Sequence, residues 1–326
     1  MLKAKKVSTL GLIITAIIVA EALIFMPSSS IKESNPSQTV LPASDANLSI
    51  EGFHAVNLNQ EGRKETIDAE EAELYREKGF ALLKKVEARI FGQGDDVIHI
   101  KGQEGKYYLD KKDIEFFGDI IATSENQGYQ LKTNTLKYLD MEKLLSTDDP
   151  VWIAGPNPHN PSLEVTGVGL RANTKTEQFS ILKEVRSRKH DVGAPSIDID
   201  SDTVDVYSKK NEALFKDNVV VIQKEMNLFT DNFLINYNSR NKAIDKAKAY
   251  NQVKIVQGTR IATCQKAFLL NREQKMVLTG NPKVIQGNDT VTGKIVIFFM
   301  GENKILFDEA VGEIKGIGEE NMKDFK

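Results

Sequence analysis

Four histidines and one cysteine are the residues of this 326-residue chain best suited to metal or nucleophilic chemistry, and their spacing argues against both. His54, His99, His159 and His190 stand far apart, at different phases of the surrounding pattern, with none of the close spacing a zinc site requires. Cys264 has no partner for an internal disulfide, and in Ala262-Thr263-Cys264-Gln265 it reads as a strand filler. Gly167-Val168-Gly169 lacks the third glycine and the following helix of a dinucleotide loop, and no Walker-type phosphate loop is present. The acidic pairs Asp95-Asp96 and Asp148-Asp149 flank turns, where carboxylates are solvated. No serine sits in a nucleophile elbow. No catalytic residue, metal site or cofactor site is therefore expected. A net charge of -3 offers no basic footprint for nucleic acid.

The chemistry that the chain can do is apolar burial, and it recurs. A pattern returns every 30 to 34 residues: a short alternating strand, a polar turn, and a closing aliphatic residue. The units run from Ile67 to Val86, Ile100 to Ile120, Leu131 to Val151, Val165 to Val185, Ile199 to Val219, Phe229 to Val253, Ile261 to Val284 and Val291 to Val311. Five of the eight intervals are 20 residues. Self-similarity at this period marks a repeat architecture in which each unit buries its apolar face against its neighbours. The internal period is two, as in Val204 and Val206 followed by Ser208-Lys209-Lys210-Asn211 and then Val219 and Val221. Such runs joined by Asn, Asp, Lys and Gly are hairpins. The fold class expected is all-β, an elongated body rolled or folded over an apolar interior.

Two adjacent columns compete for that interior. Seven residues after each opening stand Leu74, Tyr107, Tyr138, Ala172, Val206, Asn236, Phe268 and Phe298; eight after stand Tyr75, Tyr108, Leu139, Asn173, Tyr207, Tyr237, Leu269 and Phe299. One of them faces inward, and a one-residue bulge would exchange the two.

The N-terminus sets the compartment. Three lysines in residues 1–6 precede a 20-residue stretch, 7–26, broken only by Glu21. That length spans a bilayer core as a helix, and lysines before it hold that end in the cytoplasm. A single-pass anchor in residues 1–26 is expected, with the rest of the chain on the far side; Ala20-Glu21-Ala22 also has the form of a signal-peptidase site. Residues 27–46, rich in Ser, Pro and Asn, read as a linker. A further break at 187–196 divides the remainder into β domains of residues 47–190 and 191–326, with the repeat in phase across it.

At these residues the chain resembles two families of lipopolysaccharide export. Residues 197–311 resemble the periplasmic OstA/LptA-type domain through Ile199-Asp200-Ser201-Asp202, Phe215-Lys216-Asp217-Asn218-Val219-Val220-Val221, the run Tyr250 to Gly258 and the run Leu278 to Val284. Residues 1–190 resemble LptC, the membrane-anchored component, through the anchor, Ile67-Asp68-Ala69-Glu70-Glu71-Ala72, Leu131 to Tyr138 and Val165 to Leu170. The resemblance implies a twisted β-jellyroll whose open groove shields the acyl chains of lipopolysaccharide. It implies an inner-membrane ABC transporter complex at one end. At the other it implies another β-jellyroll bridge or an outer-membrane translocon protein, joined by edge-strand pairing. The groove candidates are Tyr107, Leu136, Tyr138, Val151, Val204, Val206, Val219, Val221, Leu234, Val253, Ile255, Phe268, Val284, Val296 and Phe298. An envelope scaffold with a dry interior is the competing expectation, since any β-sandwich needs an alternating core.

Overall fold

The computed structural model of the protein describes residues 48–313 apart from 59–61, 93–95, 191–192, 194, 241, 300–304 and 310. The expected anchor, the linker and the polar tail after residue 313 lie outside the described residues. Among the described residues no helix is long and apolar enough to cross a membrane.

Among the described residues twenty-one strands form a single sheet, every pairing antiparallel. The first nine are β1 (Leu48–Leu58), β2 (Lys64–Tyr75), β3 (Phe80–Phe91), β4 (Val97–Tyr108), β5 (Ile114–Ser124), β6 (Gln130–Leu139), β7 (Leu144–Gly155), β8 (Leu163–Asn173) and β9 (Gln178–Lys189). They meander, each beside the next. The chain continues through β10 (Ile197–Ser201), β11 (Thr203–Tyr207), β12 (Glu212–Gln223), β13 (Met226–Tyr237), β14 (Ile244–Gln257) and β15 (Arg260–Leu270). Six short strands finish it: β16 (Lys275–Thr279), β17 (Lys283–Gln286), β18 (Asp289–Thr292), β19 (Ile295–Phe299), β20 (Ile305–Asp308) and β21 (Val311–Glu313). β10 and β11 both lie on β9, and β16 and β17 both lie on β15, so each pair is one chain pass broken in its middle. β18 with β19 and β20 with β21 repeat that arrangement. The sheet thus crosses residues 190–196 without interruption. Among the described residues its free edges are β1 at one end and the β20/β21 pass at the other.

A flat sheet would leave one face in water, yet Ala81, Val86, Ile100, Phe116, Ile181, Leu228, Leu278 and Val296 are fully buried. With no other layer among the described residues, the cover must be the sheet itself. The bend lies at mid-strand. Along β2, β4, β6 and β8 the inward series advances by twos and then takes one step of three, from Ala69 to Ala72, Gly102 to Gly105, Thr133 to Leu136 and Gly167 to Leu170. The intervening strands make their bend with left-handed residues: Lys85 (φ 48°), Asp119 (φ 46°), Glu184 (φ 55°), Asn218 (φ 51°) and Gln252 (φ 51°). Each immediately precedes a closing aliphatic of the repeat, Val86, Ile120, Val185, Val219 or Val253, and these five are at most 2% exposed. Extra residues of this kind bend a strand and re-aim the side chains beyond them. At the corresponding point of β7 stands Pro150, whose ring forbids a positive φ. There the ladder slips between Thr147 and Pro150, and Thr147 Oγ1 accepts from the Asp149 N–H at 3.1 Å.

Two expectations shift, one because of the bends and one at the free edge. Phe229 opens a unit in the sequence, but Leu228 is the inward residue and Phe229 is 38% exposed. In the units opening on Phe229 and Ile261 the inward column is therefore eight residues on, at Tyr237 and Leu269; elsewhere the column seven on faces in. Val311, which closes the last unit, is 74% exposed on the free edge.

At the bend the neighbouring strands β8 and β9 also approach closely. A Cβ on Gly167 would collide with Ile181 Cγ2 and come within 2.9 Å of the Lys183 carbonyl. Ile181 is fully buried, whereas Ile121 points outward at 37% exposure. We expect Ile181→Ala to cost about 2–5 kcal/mol in urea unfolding and Ile121→Ala less than about 1 kcal/mol. Equal losses would contradict this assignment of faces.

Candidate functional site

The interior is two apolar clusters in series. The first spans β2 to β7 and includes Leu83, Ile100, Tyr107, Phe116, Leu136, Tyr138 and Leu145. The second begins at Val151 and runs through Ile181, Val219, Leu228, Phe233 and Val253 to Val296. Leu131 and Ala172 pack against both. The division of the core thus falls within β7, well before residue 190.

Of the groove candidates, Tyr107, Leu136 and Tyr138 lie in the first cluster; Val151, Val204, Val219, Val221, Val253, Ile255, Val284 and Val296 lie in the second. Val206 and Phe298 pack on the second from its margin. Leu234 and Phe268 are on the opposite face. Leu234 neighbours the inward pair Phe233 and Ile235, and the Lys248 ammonium lies 5.7 Å from the Phe268 ring centre. The mid-strand bends of β13 and β15 turn these two outward.

The hairpin turns form two rims along the mouth of the fold. On the first rim successive turns are tied by hydrogen bonds: Leu109 N–H to the Gly79 carbonyl at 3.0 Å, Thr174 N–H to Lys143 at 2.9 Å, Ser208 N–H to Glu177 at 3.1 Å and Tyr237 N–H to Asn211 at 3.0 Å. The second rim has its own ties, Asn157 N–H to Gly128 at 3.1 Å and His190 N–H to Ser162 at 2.7 Å. Near the N-terminal end the rims touch. Lys112 Nζ donates to Asn57 Oδ1 at 2.7 Å, and Lys143 Nζ lies 3.5 Å from Glu65 Oε1 and 2.7 Å from Asp140 Oδ1. Lys112 and Lys143 belong to the first rim, Asn57 and Glu65 flank the second.

Glu65 is the buried member of this half-buried latch, and the charges here are perturbed. The Glu65 side chain is 6% exposed, and among the described residues its Oε1 has no hydrogen-bond donor. Burial raises its pKa above the usual carboxylate value, opposed by Lys143 and reinforced by Asp140. Burial also pushes Tyr107 up to about 12, helped by Asp140 and Glu65. Burial works against the charge on Lys143, but Asp140, Tyr138 and Glu65 outweigh it and hold the ammonium above its usual range. A slot of about 20 Å³ remains among these side chains, room for a single water. Sequence reading missed this cluster because it followed aliphatic columns. The available signal was Glu65 standing two residues before Ile67, on the inward face of β2.

A larger space, about 770 Å³, lies at the bends of β5 to β9, lined by Ile120, Thr133, Val151, Trp152, Gly167 and Arg186 among others. The residues suited by type to metal or nucleophilic chemistry are dispersed. His54 pairs with Asp68, and His99 with Glu125 at 3.3 Å, both exposed. Cys264 is buried, which raises its thiol to about 11 and keeps it neutral. Among the described residues no three His, Cys, Asp or Glu side chains are grouped to hold a metal ion.

Fold and interior together define an all-β repeat protein, one antiparallel sheet bent over an apolar core with a two-rimmed mouth. The model of the family described as "Lipopolysaccharide-assembly, LptC-related" matches residues 12–191, more than half of the chain. The chain belongs to that family. Residues 198–304 match a second family, "LptA/(LptD N-terminal domain) LPS transport protein". Both are families of transport proteins rather than enzymes. Among solved structures the chain is similar to LptH, the LptA-homologous periplasmic component of the conserved lipopolysaccharide transport device from Pseudomonas aeruginosa. The TM-score is 0.34 and the identity 15%, over 37% of this chain and 95% of that one. No curated protein matches the chain.

Linkage gives the latch a pH signature. Between the ordinary and the raised pKa of Glu65 the folded state holds a proton that the unfolded state has released, so stability falls as pH rises through that window. We expect unfolding free energy to decline as pH climbs from about 4.5 through the raised pKa of Glu65, and Glu65→Gln to flatten that slope. A slope unchanged in the variant would remove Glu65 from the account.

Proposed function

We propose that this chain is a bridge for lipopolysaccharide, holding the acyl chains in the interior of the folded sheet and leaving the sugars in water, with no catalytic step. The observation that carries the proposal is continuity. One unbroken sheet joins the segment matching the LptC-related family to the segment matching the LptA/LptD family, with an apolar interior along both. In this reading residues 7–26 anchor the chain in the inner membrane and the β body occupies the periplasm. Residues 47–190 form an LptC-like segment and residues 191–326 an OstA/LptA-like segment of a twisted jellyroll. The edge strand β1 faces the inner-membrane ABC transporter that supplies the lipid. The β20/β21 pass, whose backbone groups have no neighbour on one side among the described residues, receives the next β-jellyroll bridge or outer-membrane translocon protein.

In this closed state the interior is filled by its own side chains, and the latch joins the rims. Acyl chains enter only if the rims part and the sheet flexes at its bends. The closed packing favours the second reading, an envelope scaffold whose β body joins partners and binds no lipid.

Photocrosslinking in membranes separates the two. Photoreactive residues at Val206 and Phe298, which face the interior, should yield lipopolysaccharide adducts, while those at Tyr207 and Phe299, which alternate with them, should not. Protein adducts alone, or lipid on both sets equally, would remove the interior from the transport path.

A further inference from the structure

The two rims differ in charge over the C-terminal half. On the first rim, three consecutive turns, 174–177, 208–211 and 238–242, carry five cations, Lys175, Lys209, Lys210, Arg240 and Lys242, against one carboxylate, Glu177. On the second rim, the turns at 224–225, 258–259 and 287–288 carry Lys224 and Glu225, and otherwise no charge. The first-rim turns form one ledge, because Ser208 N–H donates to Glu177 and Tyr237 N–H to Asn211, and Lys209 Nζ lies 3.5 Å from the Lys175 carbonyl. Lys175, Lys209, Lys210 and Arg240 are exposed. Among the described residues none of the five cations forms an ion pair, whereas Arg272 on the next turn is held by Asp245 at 3.0 Å. Two of the heads are nevertheless placed: Lys210 Nζ lies 5.4 Å from the Tyr207 ring centre and Lys242 Nζ 5.5 Å from that of Tyr237. Cation–π contact restrains an ammonium while leaving its N–H donors free. Directly below the ledge, Val206, Phe179 and Ile235 belong to the interior.

We propose that this ledge binds the phosphate groups on the head of the lipid whose acyl chains occupy the interior, fixing which way round the lipid lies in the mouth. The proposal rests on the lipid-bridge reading above. Five cations that form no ion pair among the described residues, within reach of an apolar mouth, complement an anionic amphiphile, and phosphate oxygens accept several charge-assisted hydrogen bonds at once. Because only one rim is basic, the head leans to that side and the opposite rim stays free of it.

The test uses the full chain in phosphatidylcholine nanodiscs, with a photoreactive residue at Val206 reporting occupancy of the interior. Two probes are titrated: bisphosphorylated lipid A, and the same lipid A stripped of both phosphates. In the otherwise unaltered chain the phosphorylated lipid should half-saturate at a concentration on the order of tenfold lower. A variant carrying Lys175→Gln, Lys209→Gln, Lys210→Gln and Arg240→Gln, with an unchanged melting temperature, should lose that difference while binding of the stripped lipid stays the same. Lys224→Gln on the second rim should alter neither. Equal half-saturation by both lipids in the unaltered chain, or a variant that weakens both alike, would overturn the ledge while leaving the lipid reading in place. Displacement of lipid A by the deacylated phosphorylated sugar at matching concentration would make the ledge a site for soluble anions and overturn the assignment to lipid. Absence of adducts with either lipid would overturn the bridge reading and the ledge with it.

Discussion

Everything in this structure depends on the strands bending in their middles. A straight antiparallel sheet of this length would present a broad aliphatic face to water, and burial at roughly 25 cal/mol per Å² is the main force available to an all-β chain without disulfides. The left-handed residues at Lys85, Asp119, Glu184, Asn218 and Gln252 let each pass cover its own apolar half with the other half. The residue types fit the conformation unevenly. Asn tolerates a positive φ at little cost, while Lys, Glu and Gln are held there by the ladders on both sides. Where Pro150 makes the conformation impossible, the register slips instead, and the two apolar clusters divide at that strand.

The repeat was legible in the sequence because the closing aliphatics come directly after the bends, and burial forces them to stay aliphatic. Val86, Ile120, Val185, Val219 and Val253 announce the unit even though the bends themselves have no fixed residue type. The face of each strand was not legible. A step of three in place of two exchanges inside and outside, and nothing in Phe229 or Phe268 distinguishes an aromatic on the outer surface from one in the core. Leu234 and Phe268 read as groove residues for that reason. Long-range polar contacts were hidden as well, since Glu65 and Lys143 meet only once the sheet has closed.

Burial and ancestry divide the chain in different places. The family matches meet between residues 191 and 198, while the core divides between Leu145 and Val151. β8, β9 and the second part of β7 therefore lie in the segment matching the LptC-related family and pack in the cluster that fills the LptA-like segment. Cutting the chain at residue 191 would expose apolar surface on both products, so the two segments are one unit of packing.

The bent sheet also sets a scale. Each chain pass advances the body by about one inter-strand spacing, 4.8 Å, whatever its sequence, and the twenty-one strands of the described residues make seventeen passes because four passes are broken in two. The body is thus roughly 80 Å from one free edge to the other. Its span is quantised: gaining or losing one unit of the repeat adds or removes two passes, about 10 Å, and keeps both edges and the alternation of rims. An insertion within a strand, by contrast, disturbs the phase of the bends. Evolution can lengthen or shorten such a body by counting whole units, without redesigning either end.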